Sequence, residues 1–147
     1  MRLLIQRVKK ASVEVNQEVI GAIDRGLLVF LGIHKDDQPK QTEWMISKTI
    51  HLRIFEDEQG KMNKSLMDIQ GQILVISQFT LYGNCQAGRR PDFLEAAPPQ
   101  IAEPIYEKFI RELKISVPSV QSGKFRAHME ISLINDGPVT LMIEDRN

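Results

Sequence analysis

Two short polar segments of this chain contain residue types that can carry out chemistry. The first, Ser77-Gln78-Phe79-Thr80-Leu81-Tyr82, follows a strongly apolar run. Ester hydrolysis needs a positioned nucleophile or water and hydrogen-bond donors where negative charge develops on the carbonyl oxygen. The Gln78 amide and the backbone N–H groups of Phe79 and Thr80 are candidate donors. The Thr80 hydroxyl is a candidate nucleophile or a group that positions water.

Activation of Thr80 is the difficulty, because a threonine hydroxyl needs a neighbouring base to become a nucleophile. No such base is close in sequence, and His34, His51 and His128 reach the segment only through the fold. The sequence therefore favours a mechanism that depends on hydrogen-bond donors and on the substrate itself. The alternative is structural: Ser, Gln and Thr at the end of a strand often only cap the sheet.

The second segment is Asn135-Asp136-Gly137-Pro138-Val139-Thr140. Proline removes a backbone donor and fixes φ, and its preceding peptide bond adopts the cis form at small cost. A glycine before it allows the backbone to approach another group closely. This combination indicates rigid main chain at a site. The alternative is a tight turn in which Asn135 and Asp136 are ordinary turn residues.

Composition indicates an ordinary protein with one domain, residues 1–147. The chain has 147 residues, 42% apolar and 26% charged, which suits a single core. Its 19 basic and 19 acidic residues cancel, so phosphate binding would have to be local. The candidate basic patches, each of which has the alternative of being merely a solvated surface, are Arg7, Lys9 and Lys10, then Arg89 and Arg90, then Lys124 and Arg126.

Several function classes are disfavoured by what the sequence lacks. No apolar run approaches the roughly 20 residues that span a bilayer, and the opening Met1–Arg7 is too short and too quickly charged for a secretory signal. The single Cys85 suits a reducing compartment, so we expect a cytoplasmic protein. The sequence contains no metal-ligand spacing, phosphate loop or dinucleotide fingerprint, and we expect no cofactor.

Strands are predicted to position both segments. Alternating and continuous apolar patterns predict a hairpin turning at Asn16-Gln17 and further strands at Leu3–Val8, Gly26–Ile33, Leu52–Phe55, Gln72–Tyr82, His128–Ile134 and Val139–Ile143. In a strand that continues to Tyr82, Gln78 and Thr80 lie on the same face. The last two strands are predicted to be joined through Asp136-Gly137-Pro138.

Two helices complete the pattern. The first is predicted over Pro39–His51, from a stripe formed by Thr42, Met45, Ile46, Thr49 and Ile50. The second has a face at every fourth residue, Ile101, Ile105, Phe109 and Leu113, with a kink or late first turn at Pro104. Polar loops are expected at Asp57–Lys61 and Gly83–Pro91. The expected class is a mixed, largely antiparallel α/β fold.

The two polar segments lie about 55 residues apart and follow the opening Arg-Leu-Leu-Ile-Gln-Arg-Val. In this order they resemble the paired signatures of D-aminoacyl-tRNA deacylases. The resemblance spans nearly the whole chain. It implies a β-barrel-like core with two main helices packed outside and a homodimer. It also implies cofactor-independent hydrolysis of the ester of D-aminoacyl-tRNA, and of glycine charged to the wrong tRNA.

The resemblance also implies residue roles. Gln78, Phe79 and Thr80 would be catalytic, together with the 2′-OH of the terminal adenosine of the tRNA. The Gly137-Pro138 peptide would be cis and would reach into the partner subunit's pocket. There its carbonyl oxygens would clash with an L side chain but not with a D side chain or glycine. Residues implied to bind substrate are Ser77, Arg90, Phe125 and Met129.

Two other classes remain open at this stage. One is a nucleic-acid-binding dimer without catalysis on the same fold, since eukaryotic relatives of the family are linked to DNA-unwinding elements. The other is a small oligomeric hydrolase for a free metabolite, which zero net charge favours. An assay of D- against L-aminoacyl-tRNA stability separates these hypotheses, because chiral ester hydrolysis is expected of the deacylase alone.

Overall fold

A computed structural model describes residues 1–145, so the last two residues of the predicted 1–147 domain lie outside the described part. The fold is mixed α/β, as predicted, with eight strands and two longer helices. The strands are β1 (Arg2–Val15), β2 (Glu18–Ile23), β3 (Gly26–Gly32), β4 (Phe55–Glu56), β5 (Met62–Lys64), β6 (Gln72–Ser77), β7 (Val120–Ser122) and β8 (Glu130–Glu144). The helices are α1 (Thr42–His51) and α2 (Pro99–Ser116), with short 3₁₀ turns at Pro39–Gln41 and Phe79–Tyr82.

The main sheet has the order β2-β1-β3-β6-β7, and β8 also pairs with the long strand β1. The β1 pairings are antiparallel, whereas β3 pairs with β6, and β6 with β7, in parallel. The strands at the two ends of this order contact one another, since β2 touches both β6 and β7. The sheet is therefore nearly closed into a barrel, as the resemblance implied.

Strand β3 is buried on both faces, as its continuous apolar run predicts. Leu27, Val29 and Leu31 pack in the core that contains the helices. Leu28 lies instead in a second core with Leu74 and Ile76 of β6. The neighbouring ends of β3 and β6 thus have an apolar layer on each side, which fixes the place where the first polar segment begins.

Helix α1 buries the predicted stripe: Thr42, Met45, Ile46, Thr49 and Ile50 are all buried. In α2, Ile105, Phe109 and Leu113 are buried, but Ile101 is 41% exposed, so the predicted face does not extend into the first turn. The helix continues through Pro104, where a kink or a late first turn was expected. Pro104 has no N–H to donate to the preceding turn, but this lost hydrogen bond lies near the N-terminal end of α2. Burial of the residues that follow stabilises the rest of the helix.

Two predicted strands end differently in the structure. β6 stops at Ser77, and the chain turns into the 3₁₀ turn Phe79–Tyr82 instead of extending to Tyr82. Gly32 favours this turn, because a Cβ there would be crowded, at 3.0 Å from Leu81 Cβ and 3.1 Å from the Gln78 carbonyl oxygen. The short strand expected at Leu52–Phe55 is instead Phe55–Glu56.

The last two predicted strands are one continuous strand, β8, and Gly137-Pro138 does not form a turn between them. Gln6 pairs with Thr140 and Val8 pairs with Asn135. Residues 136–139 therefore stand opposite the single residue Arg7, which makes them a bulge in the β1–β8 ladder. A proline is tolerated at such a bulge, because its missing N–H interrupts no ladder hydrogen bond.

Among the described residues, no helix has both the length and the apolar character needed to cross a membrane.

Candidate functional site

A cavity of about 630 Å³ opens where the parallel strands β3 and β6 end. Its lining includes Leu31, Ile33 and Ile76, which lie at or next to the strand ends, and Ser77, Gln78 and Phe79, which follow β6 or end it. The remaining lining comes from Phe93, Ala96, Ala97, Pro98, Pro99 and Ala102 and from Phe125, Arg126, Ala127, His128, Met129 and Ile131. A mainly apolar cleft with a few converging polar groups is typical of a small-ligand site.

The 3₁₀ turn brings the Gln78 amide and the Thr80 hydroxyl together, although not on the face of one strand as predicted. The Gln78 Nε2 donates a hydrogen bond to Thr80 Oγ1. Gln78 lines the cavity. Thr80 is exposed and does not line the cavity, but its hydroxyl is hydrogen-bonded to the Gln78 amide. The two groups therefore form one hydrogen-bonded unit at the cavity wall.

The turn also leaves backbone donors free. The first amides of a helical turn have no acceptor within that turn. Gln78 N–H donates to the Leu31 carbonyl at 2.8 Å, which anchors the turn to β3. Neither Phe79 N–H nor Thr80 N–H donates to another residue of the described chain. Two adjacent unbonded amides beside a side-chain amide are the arrangement that stabilises an oxyanion.

Aromatic and sulfur-containing side chains also line the cavity. Phe125 and Met129, which the resemblance implied as substrate-binding residues, both line the cavity. Phe125 packs on the ring of Tyr106 with centroids 5.7 Å apart, and Tyr106 donates a hydrogen bond to the Val75 carbonyl at 3.2 Å. Burial raises the pKa of Tyr106 to about 12, so this hydroxyl keeps its proton and its structural bond.

An aromatic pair borders the cavity at Phe79 and Phe93, whose ring centroids lie 5.1 Å apart. Phe79 is 57% exposed and Phe93 38%, so the pair leaves apolar area open to solvent beside the cavity. Arg90 lies in the neighbouring loop, is exposed and does not line the cavity. The structure therefore brings Ser77, Phe125 and Met129 into the site but places Arg90 outside it.

Sequence reasoning missed Arg126 and His128 as cavity residues, although it named Lys124 and Arg126 as a charge patch. Both residues line the cavity, and both are exposed. The signal was weak, because residues 123–127 show neither helical nor strand periodicity and His128 appeared only as the start of the strand predicted over His128–Ile134. His34 lies outside the cavity; its ring packs against Tyr82 at 5.2 Å and bonds Glu95 Oε2 at 2.7 Å.

Within residues 1–145, no group of three or more His, Cys, Asp or Glu side chains is arranged to hold a metal ion.

The second segment lies in the β8 bulge and is held from below. The Gly137-Pro138 peptide bond is cis, and both residues are exposed. Arg7 is buried beneath them; its Nε donates to the Asp136 carbonyl at 3.0 Å and its Nη1 to the Ile54 carbonyl at 2.7 Å. Asn135 Nδ2 closes the base of the bulge by donating to the Val139 carbonyl at 3.0 Å.

The bulge does not contribute to the cavity of its own chain, since neither Gly137 nor Pro138 is among the lining residues. The strand around it presents exposed apolar side chains. Ile134 is 45% exposed, Leu141 40% and Met142 49%. An exposed backbone bulge flanked by exposed apolar side chains is typical of a surface that another chain covers.

Comparison with known proteins identifies the class to which this fold and site belong. The family described as D-Tyr-tRNA(Tyr) deacylase matches residues 4–144. A protein of Thermotoga petrophila described as a D-aminoacyl-tRNA deacylase is 54% identical over 144 residues, covering 98% of this chain and 97% of its own. A protein of Chloroherpeton thalassium with the same description is 56% identical over 146 residues, covering 98% and 95%.

Solved structures agree with this match. A structure described as a c-Myc DNA unwinding element binding protein has a TM-score of 0.94, 44% sequence identity and full coverage of both chains. A second, described as a probable eukaryotic D-amino acid tRNA deacylase, has a TM-score of 0.85 at 17% identity over 97% of each chain, which supports the fold alone. The chain belongs to the D-Tyr-tRNA(Tyr) deacylase family, and the resemblance seen in its sequence is confirmed.

Proposed function

We propose that this protein is a D-aminoacyl-tRNA deacylase that hydrolyses the ester between a D-amino acid and the terminal adenosine of tRNA. Two features on the same cavity support the proposal. Gln78 and Phe79 line an apolar chamber of about 630 Å³, and the unbonded amides of Phe79 and of the next residue, Thr80, follow the Gln78 side-chain amide directly in the chain. The relatives from Thermotoga petrophila and Chloroherpeton thalassium carry the same description. No cofactor takes part.

The chemistry follows from donors and substrate. A water molecule attacks the ester carbonyl carbon, and the carbonyl oxygen becomes an oxyanion that accepts hydrogen bonds from Phe79 and Thr80 N–H. The 2′-OH of the adenosine lies next to the ester, where it orients the water and relays its proton. The bond between the carbonyl carbon and the ribose 3′ oxygen then breaks, and this oxygen takes up the relayed proton. A free D-amino acid and tRNA leave.

Side chains around the cavity have supporting roles in this proposal. Gln78 orients the 2′-OH or the oxyanion, with Thr80 Oγ1 fixing its amide. Phe125 and Met129 pack against the adenosine or the amino-acid side chain, and Ser77 supplies a hydroxyl at the end of β6. Arg90, on the exposed loop beside the site, contacts the RNA backbone at a distance from the ester.

Chiral discrimination is assigned to Gly137 and Pro138 acting across a homodimer. Their backbone carbonyls enter the partner's cavity and occupy the space that an L side chain needs, while a D side chain points away and glycine has none. Three observations support this role: the two residues are exposed, they miss their own cavity, and buried Arg7 holds the loop. Glycyl-tRNA is accepted for the same reason. The reaction would take place in the cytoplasm as translation quality control.

Purified protein incubated with D- and L-aminoacyl-tRNA tests the activity directly. We expect loss of the D ester with the L ester preserved, measured by the aminoacylated fraction of tRNA over time. Equal spontaneous decay of both esters would refute the deacylase assignment. Equal catalysed loss of both esters would confirm ester hydrolysis but would refute the assignment of Gly137 and Pro138 as the residues that select chirality (the selector).

The dimer has its own test. Met142→Glu places a charge beside the bulge and is expected to yield monomers by analytical ultracentrifugation, with weakened discrimination against L esters. Ile115→Glu is the matched control, because Ile115 is an exposed apolar residue on α2, a helix that does not belong to the β1–β8 ladder. A wild-type protein that sediments as a monomer at assay concentration, yet still rejects L esters, would refute the proposal that Gly137 and Pro138 act in the cavity of a partner subunit.

Binding of a DNA unwinding element without catalysis is the second candidate, and the description of the 44%-identical structure favours it. The same purified protein distinguishes the two. Retained DNA binding with no effect on either ester supports the binding protein. Loss of the D ester supports the deacylase, and DNA binding in addition indicates two activities on one fold.

A further inference from the structure

Arg126 has an unusual backbone conformation at the mouth of the cavity. Its φ is +64°, in the left-handed region that residues with a side chain avoid for steric reasons. Glycine adopts this conformation freely, whereas any residue with a Cβ, such as arginine, is strained here. A non-glycine residue that keeps such a backbone beside a candidate site motivates a search for a function of its side chain.

The Arg126 guanidinium is free to contact a ligand. Arg126 is exposed, lines the cavity, and forms no hydrogen bond or ion pair with any residue in the described part of the chain. Lys124 and His128, two positions away on either side, are exposed as well. None of the described residues that line the cavity is Asp or Glu. The positive charge at this edge is therefore not compensated within the site.

The chemistry of the proposed substrate limits what this charge can meet. The aminoacyl end carries an ammonium group, which a guanidinium repels, and the ester itself is neutral. The negative charges near that end are the phosphodiesters of the RNA strand. A guanidinium matches a phosphate with two parallel hydrogen bonds, which an ammonium does not.

We propose that Arg126 is a substrate-positioning residue that binds the phosphodiester next to the terminal adenosine of the tRNA. This inference rests on the proposed deacylase function and extends it from the ester to the RNA strand. It agrees with the zero net charge of the protein, because one contact beside the cavity requires no overall excess of basic residues. Lys124 and His128 border this contact.

Three substitutions separate charge from backbone strain. Arg126→Gln removes the charge and keeps a side chain at positive φ. Arg126→Lys keeps the charge and is expected to restore part of the function. Arg126→Gly removes the charge and relieves the strain. Gln17→Gly is the matched control, because exposed Gln17 has nearly the same φ, +65°, in the turn after β1.

For D-aminoacyl-tRNA, Arg126→Gln and Arg126→Gly are expected to raise KM about three- to tenfold with little change in kcat. The slope of log(kcat/KM) against log salt should become shallower by about 0.7, the value for one phosphate contact in a single strand. Hydrolysis of D-aminoacyl-adenosine, which lacks that phosphate, should not change. The Tm of Arg126→Gly and Gln17→Gly should stay level or rise, and Gln17→Gly should keep the wild-type KM.

Direct binding of the trinucleotide CCA makes the outcome independent of turnover. Weaker CCA binding by Arg126→Gln, with adenosine binding unchanged, supports the phosphate contact even if the wild type hydrolyses no ester. An active wild type whose KM, salt slope and CCA affinity are all unchanged by Arg126→Gln would refute the proposal. An equal loss on D-aminoacyl-adenosine would also refute it, because the residue would then act on the pocket instead of the strand.

Discussion

The guanidinium of Arg7 packs directly against the Cα of Gly137, at the place where the β8 bulge stands opposite β1. A Cβ built on Gly137 would lie 2.6 Å from Arg7 Nη2. Arg7 is 5% exposed, and its Nε and Nη1 donate to two different carbonyls, those of Asp136 and Ile54. A buried cation thus fixes the main chain of the bulge from beneath, while the upper side of the bulge faces outward.

Arg7→Lys should loosen this support. A lysine ammonium is a point charge and cannot reproduce the fork that bonds both carbonyls, so we expect a stability loss of about 2–3 kcal/mol. If Gly137 and Pro138 select chirality, hydrolysis of L-aminoacyl-tRNA should rise at least about tenfold relative to the D ester, about 1.4 kcal/mol. Chemical denaturation and the two ester assays measure these effects.

Arg53→Lys is the control for Arg7→Lys. Arg53 is exposed and also bonds main chain, through Nε to the Asn63 carbonyl at 3.0 Å, but it lies near the β4–β5 hairpin. The Arg53→Lys substitution should leave the preference for D over L esters unchanged. An Arg7→Lys protein that is destabilised yet keeps its full preference for D esters would contradict the link between the buried cation and the selector.

Gly137→Ala tests the bulge itself. Gly137 has φ +127°, where an L side chain is strained, and the new methyl would meet the Arg7 guanidinium. We expect a stability loss of about 1–3 kcal/mol and a measurable gain of activity on L-aminoacyl-tRNA. Gly60→Ala supplies the comparison, because Gly60 has φ +76° but nothing within 4 Å of its added Cβ. Unaltered L rejection in a folded Gly137→Ala protein would exclude this residue as selector.

Thr80→Val and Gln78→Ala distinguish a nucleophilic hydroxyl from a site built on donors. Valine keeps the shape of threonine without the hydroxyl, so a donor-based site should retain kcat within about tenfold, whereas loss of a nucleophile costs about 1000-fold or more. Removing the Gln78 amide should lower kcat about 100-fold, as loss of an oxyanion donor does. A Thr80→Val protein without activity, but with wild-type stability and substrate binding, would assign the nucleophile to Thr80.

The RNA hydroxyl can be tested without changing the protein. A substrate that carries the D-aminoacyl ester on 2′-deoxyadenosine lacks the group that is proposed to orient water and relay its proton. Its kcat should fall about 100-fold or more, which is the usual contribution of positioned proton transfer. The L-aminoacyl version serves as the background reaction. Equal rates on the ribose and deoxyribose D esters would show that groups of the protein, and not the RNA hydroxyl, orient the water and relay its proton.

The helical pattern predicted α1 well, because the buried face of an amphipathic helix is encoded within ten adjacent residues. The end of β6 was not predictable in this way. Its turn at Phe79 packs tightly against Gly32, 46 positions from Gln78, and no local pattern contains that relationship. The pairing of Gln78 with Thr80 was expected from strand alternation but arises from the turn.

The β8 bulge illustrates the same limit. Asn135, Asp136 and Gly137 are turn formers in sequence, and a turn between two strands was the natural prediction. The ladder with β1 continues on both sides, from Asn135 paired with Val8 and from Thr140 paired with Gln6. The residues between them therefore form a bulge opposite Arg7 instead of a turn. The buried position of Arg7 was equally hidden, since a charged residue in an exposed-looking run is usually solvated.

Glu112 should give the fold a measurable acid sensitivity. It accepts hydrogen bonds from Lys108 Nζ and, at 2.6 Å, from Thr42 Oγ1, which ties α2 to the start of α1. The Lys108 bond and then the Thr42 bond lower the pKa of Glu112 from its ordinary 4.5. A carboxyl whose pKa is lower in the folded than in the unfolded state stabilises the protein above pH 4.5 and loses that effect as pH falls through the folded pKa.

Glu112→Gln is therefore expected to lower the free energy of unfolding by about 0.5–1 kcal/mol at pH 7, a modest value because the pair is partly solvated. The difference from wild type should stay constant down to about pH 5 and then shrink as the wild-type carboxylate takes up its proton. Urea titrations from pH 3 to pH 8 measure it, with exposed Glu103→Gln on the same helix as the reference. A gap that persists unchanged at pH 3 would mean that Glu112 stabilises the helix pair by packing and not by its charge.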